Sequence, residues 1–61
     1  MKVGDLVLKN RGNDSGETGI IINVSTNSYA GKNAVTILEV MVGEVVKNWY
    51  SDYVEVLHEN R

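Results

Sequence analysis

The chain has 61 residues, no cysteine, one histidine and a formal net charge of −2 at pH 7. This length predicts one domain, which buries only about 60% of the surface that the unfolded chain exposes. The lack of cysteine excludes disulfides and thiolate metal sites, and the lone histidine argues against a zinc site. The acidic excess disfavours sequence-independent nucleic-acid binding, because such binding neutralises several phosphates with Lys and Arg.

The sequence predicts no membrane association. No window approaches the roughly 18 apolar residues of a membrane-spanning helix. Met1 is followed at once by Lys2-Val3-Gly4-Asp5, without an apolar stretch of signal-peptide length. We therefore expect a soluble cytoplasmic protein.

The first predicted strand, Lys2 to Lys9, is rich in Val and Leu. It ends at the polar stretch Asn10-Arg11-Gly12-Asn13-Asp14-Ser15-Gly16. Asn, Asp and Gly tolerate positive φ and bond nearby backbone groups, so we predict a loop that folds over one end of the sheet.

The second predicted strand, Thr18 to Thr26, contains the longest aliphatic run of the chain. Its β-branched residues favour a strand over a helix. Strict alternation would place Ile20, Ile22 and Val24 on one face and Ile21 on the other. Two alternatives remain: either Ile21 is exposed, or a β-bulge turns it inward.

A polar loop, Asn27 to Asn33, separates the second and third predicted strands, and Tyr29 is its one large apolar residue. We predict either that Tyr29 covers the edge of the fold or that it contacts a ligand. The third strand, Ala34 to Val42, carries apolar residues on both faces. One of these rows is then an exposed patch or a subunit contact.

Gly43-Glu44 predicts a tight hairpin, with glycine where φ is positive. The fourth strand, Glu44 to Tyr50, follows from it. Alternation places Trp49 and Tyr50 on opposite faces, so we expect one of the two aromatic side chains to be accessible.

Ser51-Asp52-Tyr53 predicts a short turn before a brief last strand, Val54 to Leu57. The remaining residues, 58–61, predict a frayed polar tail. The domain is therefore assigned to residues 1–57.

Three short segments together resemble parts of SH3-like small barrels. Lys2-Val3-Gly4-Asp5-Leu6-Val7 resembles their opening vGDxV strand, Gly16 to Val24 is similar to the KOW motif, and Ser51-Asp52-Tyr53-Val54 resembles the turn of eukaryotic SH3 domains. As a whole, the chain most resembles small uncharacterised proteins of tailed bacteriophages, including phages of marine bacteria. The resemblance implies an all-β, five-stranded SH3-like barrel with one short 3-10 turn before the last strand, and a phage protein in the host cytoplasm.

No group of residues predicts catalysis. His58 stands alone beside the tail, and no recognisable motif places a serine near it. Gly12, Gly16 and Gly19 precede no helix whose N-terminus could hold a phosphate. We therefore expect a non-enzymatic protein without cofactor, metal or small-molecule substrate.

Aromatic residues give the leading binding hypothesis. Trp49 and Tyr53, together with Tyr29, would form an exposed apolar surface for a partner protein. The alternative is structural: Trp49 plugs one end of the fold and Tyr53 covers the last turn. Proline-recognising SH3 domains pair an aromatic groove with an acidic loop, and this resemblance adds Glu17 of the first loop to the candidates.

The sequence therefore predicts a small protein-interaction module of unspecified role. The runner-up is nucleic-acid binding in the manner of KOW domains, through the cations Lys9, Arg11, Lys32 and Lys47. A third hypothesis is a symmetric homodimer, which would cover the surplus aliphatic residues of the first and third strands.

Overall fold

A computed structural model describes residues 1–27 and 34–59, with the side chain of residue 27 left out. Its elements form one antiparallel sheet in the order β4-β3-β2-β1-β5. In chain order the elements are β1 (Leu6–Lys9), β2 (Thr18–Asn27), β3 (Val35–Val42), β4 (Val45–Tyr50), the 3-10 turn (Ser51–Tyr53) and β5 (Val54–His58). The prediction of an all-β fold with five strands and a 3-10 turn before the last one is confirmed.

The first strand is shorter than predicted because a turn occupies its expected beginning. Gly4 has a φ of 97°, which glycine adopts without steric cost. The Asp5 N–H donates to the Lys2 carbonyl at 3.1 Å, and the buried Asp5 carboxylate accepts the Lys2 N–H at 3.0 Å. This closed turn delays the start of β1 until Leu6, so the predicted start at Lys2 is wrong.

The last strand is longer than predicted. β5 continues to His58, which pairs with Leu6 of β1. The register of this pair shifts between Leu6 and Val7, and Leu57 is the additional residue on β5. His58 therefore belongs to the sheet and not to a frayed tail, while residues 60 and 61 lie outside the described residues.

A register shift in β2 settles where Ile21 lies. Ile21 pairs with Val40, but the next pair joins Asn23 with Glu39, so Ile22 is an additional residue. Ile21 is fully buried, which confirms the alternative that turns it inward. The bulge also changes the alternation: Val24 lies opposite the buried Leu38, on the same face as Ile21.

The core lies on one face of the sheet, and β1, β2, β3, β4 and β5 each contribute to it. Its buried hydrophobic residues are Val7, Ile21, Leu38, Val40, Trp49 and Val54, with Val42 and Val56 packed against them. Between β3 and β4, the predicted hairpin is present, and Gly43 has a φ of 61°. Trp49 is only 3% exposed whereas Tyr50 is 51% exposed, so the prediction that they lie on opposite faces is confirmed.

Candidate functional site

Trp49 lies in the core and not on a contact surface. It stands on β4 opposite Leu38 of β3, and both side chains are buried. Its Nε1 finds no hydrogen-bond partner among the described residues. The hypothesis of an exposed surface that includes the Trp49 ring is therefore wrong, and the alternative, in which this ring fills the interior, describes its position.

Lys9 is the cation nearest to that core. The residue is 6% exposed, and its Nζ donates a hydrogen bond of 2.6 Å to the Asn13 carbonyl. The same Nζ lies 5.4 Å from the Trp49 ring centroid and 5.8 Å from the Tyr53 ring centroid. Aromatic faces attract cations at such distances. Lys9 thus secures the first loop to the core and is too buried to contact phosphates, which corrects the prediction for this residue.

Lys47 ties the first loop to β4. Its Nζ lies 2.9 Å from the Glu17 carboxylate and 3.3 Å from the Asp14 carboxylate. These hydrogen bonds, the one to Glu17 foremost, raise the pKa of Lys47 above its ordinary value of 10.5. Lys47 and Glu17 therefore contact each other, with side chains 30% and 36% exposed. Their predicted roles, as a nucleic-acid contact and a partner contact respectively, stay predictions.

Tyr53 is held in place by the same loop. The Asn10 N–H donates to the Tyr53 carbonyl at 2.8 Å. A Cβ added to Gly12 would lie 3.6 Å from the Tyr53 ring, so the backbone of the loop runs along this ring. The Arg11 guanidinium carbon lies 5.8 Å from the ring centroid. The Tyr53 side chain nevertheless remains 38% exposed and is available at the surface.

A cleft opens beside Tyr53 because β3 is longer than β4. The last β3–β4 pair joins Ile37 with Tyr50, whereas the pairing of β3 with β2 continues to Val35. The 3-10 turn begins there, directly after Tyr50. The resulting cleft has a volume of about 390 Å³ and is lined by Ala34, Val35, Thr36, Tyr50, Ser51, Asp52 and Tyr53.

Two of the residues that line this cleft are tyrosines. The rings of Tyr50 and Tyr53 meet edge to face, with centroids 5.7 Å apart and an interplanar angle of 67°. Such pairs hold each other in orientation while their remaining surface stays accessible. Of the described residues that line the cleft, Asp52 is the one that carries a charge. This part of the lining therefore combines aromatic surface with a negative charge.

The sequence predicted part of this cleft. Tyr53 was predicted from its residue type and turn, while Tyr50, Asp52 and Thr36 were not singled out as contacts. A signal for them existed in the unequal lengths of the paired strands, eight residues in β3 and six in β4. Tyr29 and Lys32 lie outside the described residues, so their predicted roles stay predictions.

A second surface feature is a row of side chains across all five strands. The registers align His58, Leu6, Ile20, Met41 and Val46 on the face opposite the core. Ile20, Met41 and Val46 are 41%, 36% and 48% exposed. Two members of this outer row, Leu6 and Met41, belong to the surplus aliphatic residues that the sequence predicted for the first and third strands.

No group of three or more metal-ligating side chains occurs within the described ranges. In the same part of the chain, no helix is long and apolar enough to cross a membrane.

No family model, curated protein or solved structure matches the chain. The resemblance to SH3-like phage proteins therefore stays a prediction, and function has to be argued from the geometry of the cleft.

Proposed function

We propose that this chain is a small non-enzymatic interaction module that binds a segment of a partner protein in the cleft beside the 3-10 turn. The observation that carries the proposal is the pair of exposed, mutually oriented rings of Tyr50 and Tyr53. Tyrosine gives large contact area at low cost in conformational entropy and is enriched among the residues that dominate binding energy. The strand order supports the SH3-like barrel that belongs to the same proposal.

The position of His58 supports a non-enzymatic role. The chain has one histidine, and it lies at the end of β5 far from the 3-10 turn. A strand rises about 3.3 Å per residue, so His58 lies about 13 Å along β5 from Val54. It therefore does not reach Ser51 or Asp52 as a proton-transfer partner, since such a step needs hydrogen-bond distance.

The positions of the predicted cations favour a protein partner over a nucleic acid. Lys9 is buried and Lys47 is paired with two carboxylates, which leaves Arg11 as the exposed member of the predicted set within the described residues. Phosphate binding requires several available cations and weakens steeply with salt. A cytoplasmic setting, in the host if the chain is phage-encoded, is part of the proposal.

Selection from a library of linear peptides displayed on phage tests this function on the full chain. We expect binders whose affinity falls at least tenfold for Tyr53→Ala and for Tyr50→Ala, because both rings would be contact residues. Met41→Ala is the control, since Met41 is exposed on the outer row away from the cleft. Equal binding by all three variants, or affinity only for oligonucleotides at low salt, would refute the proposal.

The outer row favours self-association as a second candidate. Four of its five side chains are apolar, and none of the five carries a carboxylate. Two copies could therefore stack these faces without burying a negative charge of the row. A stable dimer buries about 800 Å² per partner, more than four half-exposed side chains supply. We therefore expect only a weak dimer, which Ile20→Glu would abolish. Light scattering that shows a monomer at high micromolar concentration would rule it out.

A further inference from the structure

Within the described residues, no strand pairs with the β4 side of β3 at the cleft. Val35 and Thr36 pair with Asn27 and Thr26 of β2, but β4 has already ended at the level of Ile37. We propose that the partner binds there by strand addition: an extended segment that carries Lys or Arg pairs with Val35 and Thr36 of β3, in the place that β4 leaves vacant. This inference rests on the proposed function and adds the binding mode and the chemistry of the ligand.

The backbone of β3 offers the hydrogen bonds for such an addition. In a strand, successive residues direct their N–H and C=O groups to opposite sides. Since β2 occupies one side, either Val35 or Thr36 directs both groups towards the vacated edge. Within the described residues, no backbone hydrogen bond joins residues 34–36 to the 3-10 turn. An open edge of this kind is a template for another strand.

The cleft has the size and walls that a short strand needs. Its volume of about 390 Å³ lies within the range of about 300–1,000 Å³ that is usual for ligand sites. Three residues of a strand span about 10 Å. Its lining brings Val35 and Thr36 of β3 together with the exposed residues Tyr50 and Tyr53, whose rings offer contact area to side chains of the added strand.

Charge specifies the ligand further. Among the described residues of the lining, Asp52 is the one that carries a charge, and the chain as a whole has a net charge of −2. A Lys or Arg in the added segment would complement both charges. A proline-rich helix is a poorer occupant, because proline has no N–H to donate to a strand edge. The geometry therefore points to an extended, basic segment that has an N–H at every pairing position.

The test uses peptides selected from the linear-peptide library on the full chain. Methylation of single backbone nitrogens along a selected peptide removes one donor at a time. Strand addition predicts at least a tenfold loss of affinity at the nitrogen that donates to the vacated edge and little change at its two neighbours. It also predicts that hydrogen exchange of the Val35 or Thr36 amide slows at least tenfold when the peptide binds. Asp52→Asn, with folding checked by circular dichroism, is expected to weaken basic peptides several-fold.

The outcomes separate this inference from the function on which it rests. Peptides that lose affinity with Tyr53→Ala, yet tolerate every methylation and protect neither amide, would leave the interaction module standing and overturn strand addition. A failure to select any peptide that needs Tyr50 or Tyr53 would overturn both. Protection of the Val35 or Thr36 amide that grows with protein concentration, without peptide, would identify the occupant as a second copy and overturn the partner segment.

Discussion

Replacing Gly19 with alanine tests the closest approach between β2 and β3. Gly19 is buried in β2, next to the residues that open the aliphatic run. A Cβ at this position would collide with Val40 Cγ1 and lie 2.7 Å from the Met41 carbonyl oxygen and 3.0 Å from Val42 Cγ2. The two valine methyl groups can rotate, but the carbonyl can retreat only if the β2–β3 pairing moves with it.

The expected loss of stability for Gly19→Ala follows from this collision. Overpacking a core typically costs about 1–3 kcal/mol of stability. We expect a cost of about 2–3 kcal/mol for Gly19→Ala, because one of the colliding atoms belongs to the backbone and cannot rotate away. A domain of this length has about 3–9 kcal/mol of stability in total. The melting temperature should fall by about 10–20 °C, since 1 kcal/mol corresponds to about 4–8 °C in a small domain.

Urea and thermal unfolding, followed by Trp49 fluorescence, measure this loss. Gly43→Ala is the control for an added Cβ without a collision: Gly43 has a φ of 61° and nothing within 4 Å of an added Cβ, so its loss reports backbone strain alone. We expect this strain to cost about 1–2 kcal/mol, whereas Gly19 has no positive φ and its loss reports the collision. A loss below about 0.5 kcal/mol in Gly19→Ala would refute the close approach of the two strands, because the collision would then be absent.

Three further measurements test the interior and the first loop. Trp49 should emit at short wavelength and resist quenching by acrylamide, since it is 3% exposed; emission typical of a solvated indole would contradict its burial. Because its partners raise the pKa of Lys47, this ion pair should stabilise the fold fully below pH 10.5 and progressively less as the pH rises through the folded-state pKa. The urea midpoint of Lys47→Met should not fall in this way as the pH rises. If the midpoints of the variant and of the unchanged protein fall equally at high pH, the ion pair is contradicted. Lys9→Ala should cost at least about 1 kcal/mol more than Lys9→Met, which keeps the buried stem; equal losses would show that the stem contributes no packing.

The sequence predicted what depends on neighbours along the chain. The Gly43 hairpin and the opposite orientations of Trp49 and Tyr50 follow from turn chemistry and alternation, and both are present. The bulge at Ile22 does not follow from them, because it records a mismatch of register with β3 that the sequence of β2 does not contain. The two alternatives for Ile21 were therefore equally compatible with the sequence.

Long-range contacts explain why the candidate site differs from the predicted one. Lys47 and Glu17 are 30 positions apart, and only the packing of the first loop against β4 brings them together. The burial of Lys9 likewise depends on Trp49 and Tyr53, which lie far along the chain. Residue type alone marks these cations as available and leaves open whether Trp49 is a contact or a core residue, whereas tertiary packing pairs Lys47 with carboxylates and buries Lys9 and Trp49.

The cleft results from two local features, the end of β4 at the 3-10 turn and the greater length of β3, which become adjacent only in the folded sheet. The residues of the 3-10 turn end β4 at Tyr50, while the pairing with β2 carries β3 back to Val35. Neither signal predicts a site by itself, because a turn and a long strand each occur without one. Together they leave a backbone edge beside two tyrosine residues. A substitution in the turn that lengthened β4 across this gap would therefore close the site, because β4 would then occupy the edge of β3.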